Sequence, residues 1–111
     1  MSKDASLLFF GVRFEITPSQ VASAENRSLP IVQKARALGL QFYWEDFGVE
    51  LPRYYGFVGK RLAILGVEND AEVIVTAAEL ESHVKTVTEK LRNAGIDEPP
   101  ALYAHWMPSK G

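Results

Sequence analysis

Cysteine is absent from this 111-residue chain. That excludes a disulfide scaffold, a thiolate metal site and a cysteine nucleophile. Histidine is scarce: His83 and His105 are the only two, with no His-x-His or His-x-x-x-His spacing. A metal site, which needs three or four ligands, is therefore not expected. No apolar run approaches the roughly 20 residues that span a bilayer. The stretch Ala5 to Val12 leads into Arg13 and Glu15 and reads as a strand rather than a signal peptide. Charge of one sign is also lacking, since 12 basic against 14 acidic residues leave a formal charge of −2. Tight non-specific binding of polyanions needs clustered Lys and Arg, and Lys60-Arg61 is the only adjacent basic pair. A cytoplasmic protein that engages no membrane is the expectation.

Motifs for chemistry are missing too. There is no Gly-x-Gly-x-x-Gly run and no Gly-Lys-Ser/Thr for phosphates, and no serine sits in a nucleophile elbow. Asp46-Phe47-Gly48 repeats a kinase magnesium tripeptide, but 111 residues leave no room for the rest of that machinery, so it reads as a turn. No catalytic residue, metal or cofactor is expected, and a non-enzymatic role follows.

What is present is ordinary globular composition, 47% apolar and 23% charged. It predicts one α+β domain over residues 1–111, with 1–6 and 108–111 as frayed tails. Leu7 to Ile16 alternates with period two and predicts a strand. Thr17, Pro18 and Gln20 mark a helix start, and a short helix to Glu25 follows. A second helix begins at Pro30, with Ile31, Ala35 and Leu38 on one face and Gly39 as its stop. Leu40 to Glu45 alternates again. Arg53 to Leu65 reads either as a hairpin about Gly59-Lys60 or as one long bulged strand. Glu68-Asn69-Asp70 reads as a polar turn and Glu72 to Val75 as a short strand. Thr76 and Glu79 form a capping box. The helix behind them carries Leu80, Val84, Val87 and Leu91 as one stripe, and Gly95 ends it. Ala101 to Met107 alternates as a last strand.

Helices with one apolar stripe each must cover one side of a sheet. The predicted architecture is a two-layer sandwich in the ferredoxin-like βαββαβ order with an extra strand or hairpin. Its sheet is mostly antiparallel, with the helices on one face. Leu8, Phe10, Val12, Phe14, Leu40, Phe42, Trp44, Leu102, Ala104 and Trp106 should meet the helices. The opposite, uncovered face then presents Phe9, Arg13, Tyr43, Tyr55, Phe57, Tyr103 and His105, together with Glu15 and Glu45. An aromatic sheet face is a candidate contact surface. Self-association or a protein partner is the expected use, since closed dimers are the commonest oligomers. The alternative is that a loop, the extra hairpin or a symmetric copy of the chain simply covers this face.

Arg53-Tyr54-Tyr55-Gly56-Phe57-Val58 resembles part of the RNP1 strand of RNA-recognition motifs. Arg53, Tyr55, Gly56, Phe57 and Val58 match that pattern, while Tyr54 stands for its first glycine and Lys60 for its last aromatic. Leu8-Phe9-Phe10 loosely echoes the partner RNP2 segment. The resemblance implies single-stranded nucleic acid stacked on Phe9, Tyr55 and Phe57. The acidic balance opposes it. A third reading is a small-ligand pocket or small enzyme in which Arg13, Glu15, Tyr103 and His105 gather. The leading expectation is an interaction or regulatory module that works through its aromatic sheet face, as a homodimer.

Overall fold

The computed structural model describes residues 4–48, 50–66 and 69–107. The tails expected at 1–3 and 108–111, and Glu68 of the expected polar turn, lie outside the described residues. Ala5 and Ser6 are not a frayed tail, because they open strand β1, Ala5–Ile16. The other strands are β2, Gln41–Asp46, β3, Tyr54–Gly66, and β4, Ala101–Met107. They form one antiparallel four-stranded sheet in the order β2-β3-β1-β4. The helices are α1, Val21–Glu25, α2, Pro30–Ala37, and α3, Ala77–Asn93. None is long and apolar enough to cross a membrane.

The expected extra strand is not found among the described residues. Residues 54–66 form one strand whose whole length pairs with β1, with a bulge that gives Leu62 no partner. A hairpin at Gly59-Lys60 would give up half of that ladder. Glu72 to Val75 is not a strand either. Val73 and Val75 are half-buried there, but no sheet edge pairs with them.

Local chemistry sets the helix ends. Thr17 N–H donates to Gln20 Oε1 at 3.1 Å, and Thr76 Oγ1 accepts from Glu79 N–H at 3.2 Å. Gly39 and Gly95 hold φ of 77° just past α2 and α3, as their expected roles as helix stops require. The stop of α1 is unusual. Ser28 N–H reaches the Ser23 carbonyl and Arg27 N–H the Ala24 carbonyl, the double closure of a Schellman motif. The left-handed position of that motif is filled by Arg27, at φ 57°. A side chain there costs about 1 kcal/mol relative to glycine.

The helix side of the sheet buries Phe10, Val12, Ile16, Phe42 and Val58 against Leu29, Val32, Ala35, Val87 and Leu91. Phe14 and Trp44 pack at its margin, as the alternation predicted. The β4 prediction needs correction. Leu102 and Trp106 are 51% and 53% exposed, and Ala104 is exposed as well. The reason is the reach of α3, which packs on β1 and β3 and buries only Val87 and Leu91. Its first half overhangs the sheet, so Leu80 is half-buried and Val84 exposed.

The opposite face is not flat. Tyr43 Oη of β2 donates to Met107 Sδ of β4 at 3.4 Å, although β3 and β1 lie between these strands. Flat strands at about 4.8 Å spacing would hold β2 and β4 about 14 Å apart. The sheet therefore curls toward this face. Gly11 and Gly59 pair at its centre, and a β-carbon on Gly11 would overlap the Val58 carbonyl oxygen, as one on Gly59 would overlap that of Phe10. Paired glycines and a bulge are the usual devices for bending a sheet.

Candidate interaction surfaces

The seven residues expected on one face are together there. Phe57 is the hub: its ring centroid lies 5.5 Å from Phe9, 5.6 Å from Tyr103 and 6.1 Å from His105. The Arg13 guanidinium sits over Tyr55 at 4.5 Å and over Tyr103 at 5.3 Å. The Arg53 guanidinium also lies over the Tyr55 ring, at 5.5 Å. Such contacts attract through the ring quadrupole, by about 0.5–1 kcal/mol at exposed sites.

The face is nevertheless not bare, which corrects the expectation of an uncovered sheet. Phe9 and Phe57 are fully buried, in a second core with Ala5, Leu7, Phe47 and Met107. The curl turns their side chains toward one another, and Phe47 closes the hollow. Its ring lies 4.3 Å from His105 and 5.6 Å from Phe57. Phe47 was read as a turn residue, and its place is set by Asp46. Asp46 Oδ1 accepts from Gly48 N–H and Arg53 N–H, each at 2.9 Å, and Phe47 N–H donates to the Arg53 carbonyl at 2.8 Å. This clasp folds the β2–β3 loop back over the sheet. A large apolar ring inside a turn sequence was the one signal that could have shown it.

The stacking mechanism implied by the RNP1 resemblance loses its platforms, since buried Phe9 and Phe57 have no free face for a base. Tyr55 is half-buried beneath two arginines and beside Phe47. The pocket expected around Arg13, Tyr103 and His105 is filled by ring contacts, and His105 Nδ1 lies 3.1 Å from the Trp106 carbonyl oxygen. Glu15 and Glu45 stay exposed at the rim. Among the described residues no three His, Asp or Glu side chains cluster as a metal would need.

Burial pushes the Tyr43 hydroxyl above the usual tyrosine range; Glu45 adds to the shift and Arg61 opposes it. A folded-state pKa raised above the unfolded one favours the native state while the phenol is protonated. That contribution is whole below about pH 10 and is lost as pH rises through the folded value. Alkaline melts should therefore separate Tyr43→Phe from the parent chain. The difference between the two must change as pH climbs past 10, whereas a constant offset would show that Tyr43 carries no titration-linked stability.

The exposed large apolar side chains lie elsewhere. Leu102 and Trp106 stand on the helix-side surface of β4, beyond the reach of α3, and Leu51 projects from the β2–β3 loop. Among the described residues the outer edge of β4 has no neighbouring strand. No protein-family model, no curated protein and no solved structure matches this chain.

Proposed function

We propose that this chain is a non-enzymatic interaction module that works as a homodimer joined through β4. The observation that carries the proposal is the exposure of Leu102 and Trp106 on a strand whose outer edge is unpaired. Edge strands are ordinarily blunted by charge, proline or a bulge. β4 reads Ala-Leu-Tyr-Ala-His-Trp-Met and has none of these, whereas β2, the other edge, ends in Glu45 and Asp46. Antiparallel pairing of two β4 strands about Ala104 sets Leu102 against the partner's Trp106 and Tyr103 against the partner's His105. Each apolar or aromatic side chain then meets another, and such cross-strand pairs each contribute about 0.2–1 kcal/mol. The pairing is isologous and closes on itself, as a twofold dimer must.

The aromatic face acts here as the support that fixes β4 in place. Tyr103 and His105 bind that strand inward, which leaves Leu102, Ala104 and Trp106 pointing out. In its finer topology we read the fold as ferredoxin-like. Taken from the β4 edge the order is 4-1-3-2, with β3 between the strands that α1 and α2 connect. The lack of cysteine supports a cytoplasmic setting.

Light scattering coupled to gel filtration tests the dimer. The parent chain should elute at twice its 12.4 kDa. Trp106→Arg should elute at the single-chain mass with an unchanged circular dichroism spectrum, because Trp106 is exposed in the monomer. A parent chain that stays monomeric at high micromolar concentration contradicts the reading.

A further inference from the structure

We infer that the notch where β2 begins is a binding site for a phosphate-bearing small molecule. β2 starts at Gln41, opposite Gly59, while β3 runs on to Gly66. Past Gln41 the sheet therefore steps in, and a cavity of about 260 Å³ opens there. Arg27, Arg36 and Arg61 line it from the α1–α2 loop, α2 and β3, with Gln41, Tyr43 and the ring of Phe42. Among the described residues no acidic side chain contributes to its wall. A second cavity of about 270 Å³ shares Leu40 and Gln41 and adds Lys60, His83 and Lys90, again with no carboxylate among the described residues. Arg61 also borders a third hollow, which Asp70 lines.

Three exposed arginines gather around one hollow. Their planar forks match phosphate oxygens. That this happens on a chain of net charge −2 makes the clustering local rather than general. Arg27 is the second, independent observation. It occupies the left-handed stop of α1, at φ 57°, a position where glycine relieves strain. The backbone favours glycine there, and the guanidinium is what the cavity gains from arginine. The volume admits a small molecule, and Leu40, Phe42 and Tyr43 contribute the apolar part of the lining. The overall charge of −2 disfavours a long polyanion, which needs clustered Lys and Arg along its whole backbone, and so favours a small molecule over a nucleic-acid strand.

Titration of the isotope-labelled chain with pyrophosphate, followed by amide shifts, tests the site. Shifts should concentrate at 27–28, 36, 40–43 and 60–61, and Arg36→Gln with Arg61→Gln should weaken binding at least tenfold. Arg27→Gly separates ligand from structure: it should raise the melting temperature and lower pyrophosphate affinity together. Shifts spread evenly over all basic residues, or affinities within twofold of the parent in these variants, would overturn the site. A ten-nucleotide single strand that binds the parent more than tenfold tighter than pyrophosphate, and loses that advantage in the double variant, would assign the arginines to nucleic acid instead. The site does not depend on β4, so the Trp106→Arg monomer should bind pyrophosphate as the parent does.

Discussion

Phe57→Ala should lower the stability of the fold by about 3–5 kcal/mol, the range for a fully buried phenylalanine. Phe57 lies at zero exposure among Phe9, Phe47 and Tyr103. If the sheet were flat and its second face open, as the sequence pattern suggested, the same ring would stand in water and its removal would cost a few tenths of a kcal/mol. Urea unfolding distinguishes these outcomes. Total stabilities run about 5–15 kcal/mol, so the larger loss brings the variant close to unfolding at ambient temperature. Phe47→Ala should follow in direction, because Phe47 seals the hollow from the loop side. A Phe57→Ala midpoint that barely moves would mean that the concave core is not formed.

Gly11→Val should have a still larger effect, about 4 kcal/mol or more, in the exceptional range reserved for named structural faults. The added β-carbon would overlap the Val58 carbonyl oxygen of the neighbouring strand, which is backbone and cannot rotate away. β1 pairs with both β3 and β4, so displacing it disturbs every ladder except β2–β3. Expression and circular dichroism of Gly11→Val read this out, with Ser6→Val as a control at a half-buried position of the same strand. A Gly11→Val chain that folds with the parent's stability would contradict the close approach of β1 and β3.

How far the sequence speaks depends on how local each feature is. Period two in Leu7 to Ile16 and Ala101 to Met107 depends only on the strand itself; β4 appears where it put it, and β1 begins earlier, at Ala5. The Thr76 cap and the stops at Gly39 and Gly95 are equally local. The grouping of Phe9, Arg13, Tyr43, Tyr103 and His105 followed from strand alternation alone, whereas alternation left the face of Tyr55 and Phe57 open. Curvature does not follow from alternation. It arises from two glycines 48 positions apart that meet only once β1 and β3 pair, and it turns an exposed aromatic surface into a core. The same limit explains β4: Leu102 and Trp106 look like core residues by pattern, and only the length and placement of α3 leave them outside. Phe47 was hidden because turn chemistry and apolar burial, both legible in Asp46-Phe47-Gly48, point to different places for one residue.

The account rests on a sheet curled until its two outer strands meet across the aromatic face. The contact between Tyr43 of β2 and Met107 of β4, Oη to Sδ at 3.4 Å, reports that curl directly. In the Trp106→Arg chain, where contacts between copies are removed, a nuclear Overhauser spectrum should show cross-peaks between the ring protons of Tyr43 and the methyl protons of Met107. Their absence in a well-folded sample, with the β1–β3 cross-peaks intact, would show an open sheet and contradict the account.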